Sequence, residues 1–161
     1  IYDPHWKGVH GVALSDAPDG PFIPCDKYMF DIKLENGKFA SAEDPFVWYH
    51  RKTKKFYAVI KDFSGKITGS EPGFAILESE DGMIWSKPAT SFFMKKEFIL
   101  KNGGLVKVKR LERPQILLDE NDDPIVLYAA CSRVDINKRQ DGASFNVQIP
   151  LQAELIAIQN E

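Results

Sequence analysis

A repeat of 69 residues governs how this chain can fold. Glu43-Asp-Pro-Phe-Val-Trp-Tyr49 precedes a basic turn, Arg51 to Lys55, and an apolar run, Phe56 to Ile60. Glu112-Arg-Pro-Gln-Ile-Leu-Leu118 precedes an acidic turn, Asp119 to Asp123, and a second apolar run, Ile125 to Ala130. Each unit reads as an acidic residue, one residue, proline, a strand, a polar hairpin turn and a second strand. Proline removes no ladder bond where a strand begins, so Pro45 and Pro114 predict strand starts. A third strand is expected after each hairpin, at Gly73 to Ser79 and at Ser144 to Ile149. The predicted strands are 46–49, 56–61, 73–79, 115–119, 125–130 and 145–149.

A second likeness runs through the chain. Gly11-Val-Ala-Leu-Ser-Asp-Ala-Pro-Asp-Gly-Pro-Phe22 parallels Gly73-Phe-Ala-Ile-Leu-Glu-Ser-Glu-Asp-Gly-Met-Ile-Trp85. Asp-Gly suits a tight turn, because glycine takes positive φ without Cβ strain and aspartate bonds nearby amides. Phe22 and Trp85 are expected to fold back onto their sheets. Gly11 to Ser15 reads as the last strand of an earlier unit, with Ile1-Tyr2 as the tail of its second strand. Leu105 to Lys109 alternates apolar and charged, as an outer strand or one arm of an extra hairpin would. Leu151 to Ile158 combines weak helical spacing with β-branched residues, and neither form is assigned to it.

These patterns predict an all-β fold: a partial β-propeller of antiparallel three- to four-stranded blades, with units near 1–30, 40–100 and 105–155. A β-sandwich built from similar hairpins is the alternative. A propeller needs about four blades to close. The expectation is therefore that N-terminal blades are missing, or that another chain supplies them. The start at Ile1, with no initiator Met, predicts that a segment has been removed.

Hydrophobic residues make up 43% of the chain, enough for a core. The formal net charge of -2 argues against a nucleic-acid surface, which needs a basic excess. No run of eighteen apolar residues predicts a membrane span. Of the two cysteines, Cys131 follows an apolar run and reads as a buried free thiol rather than half of a disulfide with Cys25.

In a propeller the innermost strands gather at a channel mouth, so Asp44 and Glu112 are expected to converge there. A pair of carboxylates suits glycosidic cleavage: one carries the proton for the leaving oxygen, and a negative neighbour raises its pKa. The bland reading is that both merely cap turns before proline. Arg113 binds substrate oxygens or pairs with Glu43. In the amino-terminal loop, Trp6 could stack on a sugar ring, and His5 and His10 could bond hydroxyls. His10 reads equally as a satisfied core histidine. Asp62 faces the pocket or caps the loop after it. Asn146 and Gln148 share one side of a strand that could touch ligand. His5 and His10 lack a third ligand at a telling spacing, so no metal is predicted, and no cofactor.

The motifs Ala42-Glu-Asp-Pro-Phe-Val-Trp48 and Arg110-Leu-Glu-Arg-Pro-Gln115 resemble those of the five-bladed β-propeller glycoside hydrolases, the family 43-like and family 117-like set. The stretches at 15–22 and 79–85 resemble blade ends of the same set, and the likeness spans most of residues 9 to 149. The resemblance implies three acids: a first-blade Asp as base, an Asp before proline that tunes the acid, and a Glu as general acid. Asp44 matches the tuning Asp and Glu112 the acid. The base has no match; Asp3 precedes a proline, but beside a blade's end. The resemblance further implies hydrolysis by an activated water with inversion. The substrate would be a plant or algal oligosaccharide, relatives acting on arabinosides, xylosides and anhydro-galactosides. A non-catalytic sugar-binding or structural propeller is the alternative.

Overall fold

The computed structural model describes residues 10–30, 32–34, 37, 39–40, 42–135, 138 and 142–151. Among them the regular elements are strands, which form four antiparallel sheets. β1 (His10–Leu14) pairs with β2 (Ile23–Met29). β3 (Ala42–His50), β4 (Lys55–Asp62), β5 (Gly73–Ser79) and β6 (Phe92–Lys95) form a four-stranded sheet in that order. β7 (Glu97–Ile99) and β8 (Leu105–Lys107) make a short hairpin. β9 (Arg110–Leu118), β10 (Pro124–Ser132) and β11 (Ser144–Pro150) form a three-stranded sheet with β10 central. The fold is thus all-β, and the described sheets do not close into a ring.

Side chains on a strand alternate between faces, and the middle sheet buries both. From β4 and β5, Tyr57, Val59, Phe74 and Ile76 join a core with Leu111, Ile116, Leu127, Ala129 and Cys131 of β9 and β10. Their neighbours Ala58, Ile60, Ala75 and Leu77 join a second core with Phe30, Ile32 and Trp85. That is why both strands read as unbroken apolar runs rather than alternating ones. Each large side chain fully buried this way contributes about 1.5–3 kcal/mol. The chain's β1–β2 hairpin is different: Leu14, Phe22, Ile23 and Tyr28 are exposed.

Both hairpin units form where the repeat predicts them, but β3 and β9 begin earlier than expected. The prolines lie inside the strands, at β-bulges. On β3, Asp44 and Pro45 lie between Glu43, which pairs with Lys61, and Phe46, which pairs with Val59. On β9, Arg113 and Pro114 lie between Glu112, opposite Ala130, and Gln115, opposite Tyr128. The bulge opens the ladder, and proline's missing N–H costs least there. Asp44 and Arg113 take left-handed backbone, φ 52° and 53°.

Trp85 folds back as expected, its indole N–H donating to the Gly82 carbonyl at 3.1 Å and its ring meeting Phe30. Phe22 does not; it is exposed, because β2 follows immediately and carries the chain along the edge of β1. Leu105 to Lys107 is one arm of an extra hairpin, the other arm being β7. Both cysteines are free, and Cys131 is buried. Ile1-Tyr2 and 152–158 lie outside the described residues.

Candidate functional site

Among the described residues, charged side chains from two sheets converge on Lys61, near the end of β4. The β3–β4 register places Lys61 directly opposite Glu43, so both side chains leave the same face of the sheet. Val59 and Tyr57 share that face and pack towards β9 and β10. Lys61 is therefore aimed at the neighbouring sheet. Its Nζ donates to Glu43 Oε2 at 3.3 Å and to Glu112 Oε1 at 2.5 Å. The ammonium also lies 3.9 Å from the centre of the Phe63 ring. One buried lysine thus joins two glutamates from two sheets and one aromatic face.

Glu112 has a second cation. Arg110 stands two residues earlier on the same strand, hence on the same face, and donates from Nη2 to Oε2 at 2.5 Å. Burial alone would push the Glu112 carboxyl up. The hydrogen bonds and charges of Lys61 and Arg110 together outweigh it and hold Glu112 below the usual carboxylate range. Glu112 is accordingly a carboxylate at neutral pH.

Asp44 and Glu112 are not equivalent in the repeat. The bulges align Glu43 with Glu112, Asp44 with Arg113 and Pro45 with Pro114. A one-residue difference changes which way a strand residue faces. The Asp44 carboxylate accepts the backbone N–H of Arg113 at 3.1 Å, which brings it beside the chain at Glu112. The Arg113 guanidinium is exposed and has no carboxylate partner among the described residues; Glu43 pairs with Lys61 instead. His10 is half-buried with its ring edge-on to Phe30. Burial lowers its pKa against the opposing pull of Glu43 and Asp44, so it is neutral at pH 7.

Asp62 caps a loop. It is 1% exposed and accepts the backbone N–H groups of Ser64, Ile67 and Thr68 and the Thr68 hydroxyl. Asn146 lies on β11 opposite Ala130, which in turn faces Glu112. It shares a sheet face with Glu112 but stands two strands away, roughly 10 Å. His5 and Trp6 lie outside the described residues.

Sequence reasoning passes over Lys61, Arg110 and Phe63, and names Glu43 only as a partner for Arg113. Phe63 is an exposed aromatic directly after the Lys61-Asp62 pair, which is the one signal that points to it. A cleft of about 460 Å³ lies elsewhere, between the β3–β4 and β9–β10 turns, lined by Arg51, Lys52, Glu120, Asn121 and Asp123. It is a gap beside the Arg51–Asp122 ion pair, at the opposite end of β3 and β9 from Glu43 and Glu112. Among the described residues no group of three His, Cys, Asp or Glu side chains is arranged to hold a metal ion. Comparison of the chain with protein-family models, curated proteins and solved structures returns no match.

Proposed function

We propose that the chain is part of a carbohydrate-processing β-propeller, of the glycoside hydrolase kind that its Glu43-Asp-Pro and Glu112-Arg-Pro motifs resemble. One observation carries the reading: the same ends of two repeat-equivalent strands, β3 and β9, bring Glu43 and Glu112 together on Lys61 and set the Asp44 carboxylate against the Arg113 backbone next to Glu112. Carboxylates, cations and a partly exposed aromatic face, Phe63, are the groups that grip hydroxyls and ring C–H surfaces. The middle sheet, covered on both faces, supports radial stacking of blades. The exposed apolar side chains of the β1–β2 hairpin support a further blade, from this chain or another, against it.

In this reading Glu112 protonates the leaving oxygen, Asp44 orients the sugar, and a base from another blade activates water, with inversion. The cations on Glu112 set a condition: a proton donor must carry a proton, so substrate must first draw Lys61 or Arg110 away. That same pairing favours a second reading, a propeller that binds sugar without cleaving it.

Reducing-end release and calorimetric binding on the blade-complete protein decide between them, using arabino-, xylo- and anhydrogalacto-oligosaccharides. Hydrolysis that Glu112→Gln nearly abolishes on a poor leaving group, and spares on an activated one, supports the hydrolase. Binding without hydrolysis supports the second reading. Neither binding nor hydrolysis overturns both.

A further inference from the structure

Lys61 has no counterpart in the repeat. Its place opposite Glu43 is taken in the next sheet by Ala130, opposite Glu112. Both units keep the glutamate, the left-handed residue and the proline, yet only one carries a lysine. The ladder and the bulge therefore do not require it. Removing an ammonium from water costs several kcal/mol even after relaxation, a penalty alanine at the same place avoids. Arg110, the other cation on Glu112, stands where the first unit has Ser41. Both cations are additions to the repeat, and both converge on one carboxylate.

The surroundings of Lys61 also settle what kind of role it can have. An ammonium has three donors. Two are directed at Glu43 and Glu112, and Phe63 closes a third side. Lys61 is 7% exposed, so without substrate its ammonium is committed to protein groups rather than offered to a ligand. We propose that Lys61 is the positioning residue of this site: it fixes the Glu112 carboxylate at the junction of two sheets and supplies the charge that pairs with it. The role deepens the carbohydrate reading and rests on it only for what Glu112 acts on.

The test tracks Glu112 itself, by carbon NMR titration of glutamate-labelled full chain, with Glu112→Gln assigning the signal. Among the described residues the other charged groups near Glu112 include Arg110 and the exposed Arg113 on its own strand, Glu43 and Asp44 on β3, and Lys96 between β6 and β7. Lys61→Met keeps most of the buried stem and removes the charge. It is expected to raise the Glu112 midpoint by about 1–3 pH units, the usual effect of losing an adjacent opposite charge, and Lys61→Arg to restore it. A folded Lys61→Met protein with an unmoved midpoint overturns the proposal, because a merely structural lysine would change only unfolding. Where Lys61→Met does not fold, Glu43→Gln serves: it leaves Lys61 to Glu112 alone and should lower the midpoint further. No change there also overturns the proposal. Oligosaccharide titration separates the two readings. A Lys61-dependent midpoint without sugar binding leaves Lys61 its role and removes the carbohydrate reading; sugar binding with a Lys61-independent midpoint does the reverse.

Discussion

Asp44 and Arg113 occupy the same place in two repeat units, and they are bonded to each other: Asp44 Oδ2 accepts the Arg113 backbone N–H at 3.1 Å. Both sit in left-handed backbone at the extra position of a β-bulge. Such backbone is unfavourable by about 1–2 kcal/mol for a residue with a Cβ. Aspartate tolerates it better than most, and arginine has no special tolerance. The bulge on one sheet is thus tied to the bulge on the next, at the end of the strands where Lys61 joins Glu43 and Glu112.

This relationship predicts opposite effects at one position. Arg113→Gly removes the Cβ while keeping the N–H, and should raise stability by up to about 1 kcal/mol. Arg113→Val, β-branched at positive φ, should lower it by more than about 1 kcal/mol. Asp44→Ala should lower it by about 1 kcal/mol through the lost bond. Urea unfolding of the three variants checks this; equal stability of the Gly and Val proteins would rule the strained bulge out.

The hairpins are legible in the sequence because their signals are local: apolar runs of strand length bounded by polar turns. The bulges are not. Proline reads as a boundary, and nothing in Asp44 or Arg113 announces left-handed backbone, so Pro45 and Pro114 read as strand starts. The 69-residue spacing aligns Glu43 with Glu112, but without the bulges Asp44 reads as the acid that joins Glu112 at the strand entrance. Lys61 is silent for a different reason: its partners come from 18 and 51 residues away, and no local pattern reports a long-range ion pair. β2 and β6 give no strand signal because neither shows an alternating pattern of burial.

Asp62 and Gly65 should prove structural rather than functional. Asp62→Ala leaves the buried Ile67 N–H and its neighbour on Thr68 without acceptors, about 1–3 kcal/mol for each group stranded. At Gly65, φ is +71° and an added Cβ would lie 1.9 Å from the Ser70 carbonyl oxygen, which is backbone and cannot swing aside. Gly65→Ala should therefore disrupt the loop at least as severely. Thermal unfolding measures both. A sugar-binding defect in Asp62→Ala at undiminished stability would return Asp62 to the site.

The two cysteines should differ sharply towards a thiol reagent. Burial pushes the Cys131 thiol up to about 11, so almost no thiolate exists at neutral pH, and the residue is packed into the core between β4–β5 and β9–β10. Cys25, partly exposed on β2, should react with Ellman's reagent in the native protein. Cys131 should react only after unfolding, so native protein yields one thiol and denatured protein two. Rapid native labelling of both would show that the two sheets separate readily.

The acid limb of the stability curve reports on Glu112. In the unfolded chain its carboxyl titrates near the ordinary value, about 4.3. In the folded protein Lys61 and Arg110 hold it lower, against the upward push of burial. Between those two midpoints the unfolded chain binds the proton and the folded one does not, so stability falls as pH falls. The contribution is whole above the unfolded midpoint and gone below the folded one. Urea midpoints measured from pH 7 to pH 3 should therefore show wild type losing stability faster than Glu112→Gln as acid is added, with their difference shrinking below about pH 4.3. At pH 7 Glu112→Gln should already be less stable, because Arg110 loses its carboxylate while Lys61 keeps Glu43. Lys61→Met should flatten the effect. A difference that grows on acidification would mean that folding raises the Glu112 pKa. Glu112 would then hold its proton to higher pH in the folded site than in the unfolded chain, as a proton donor to a leaving oxygen requires.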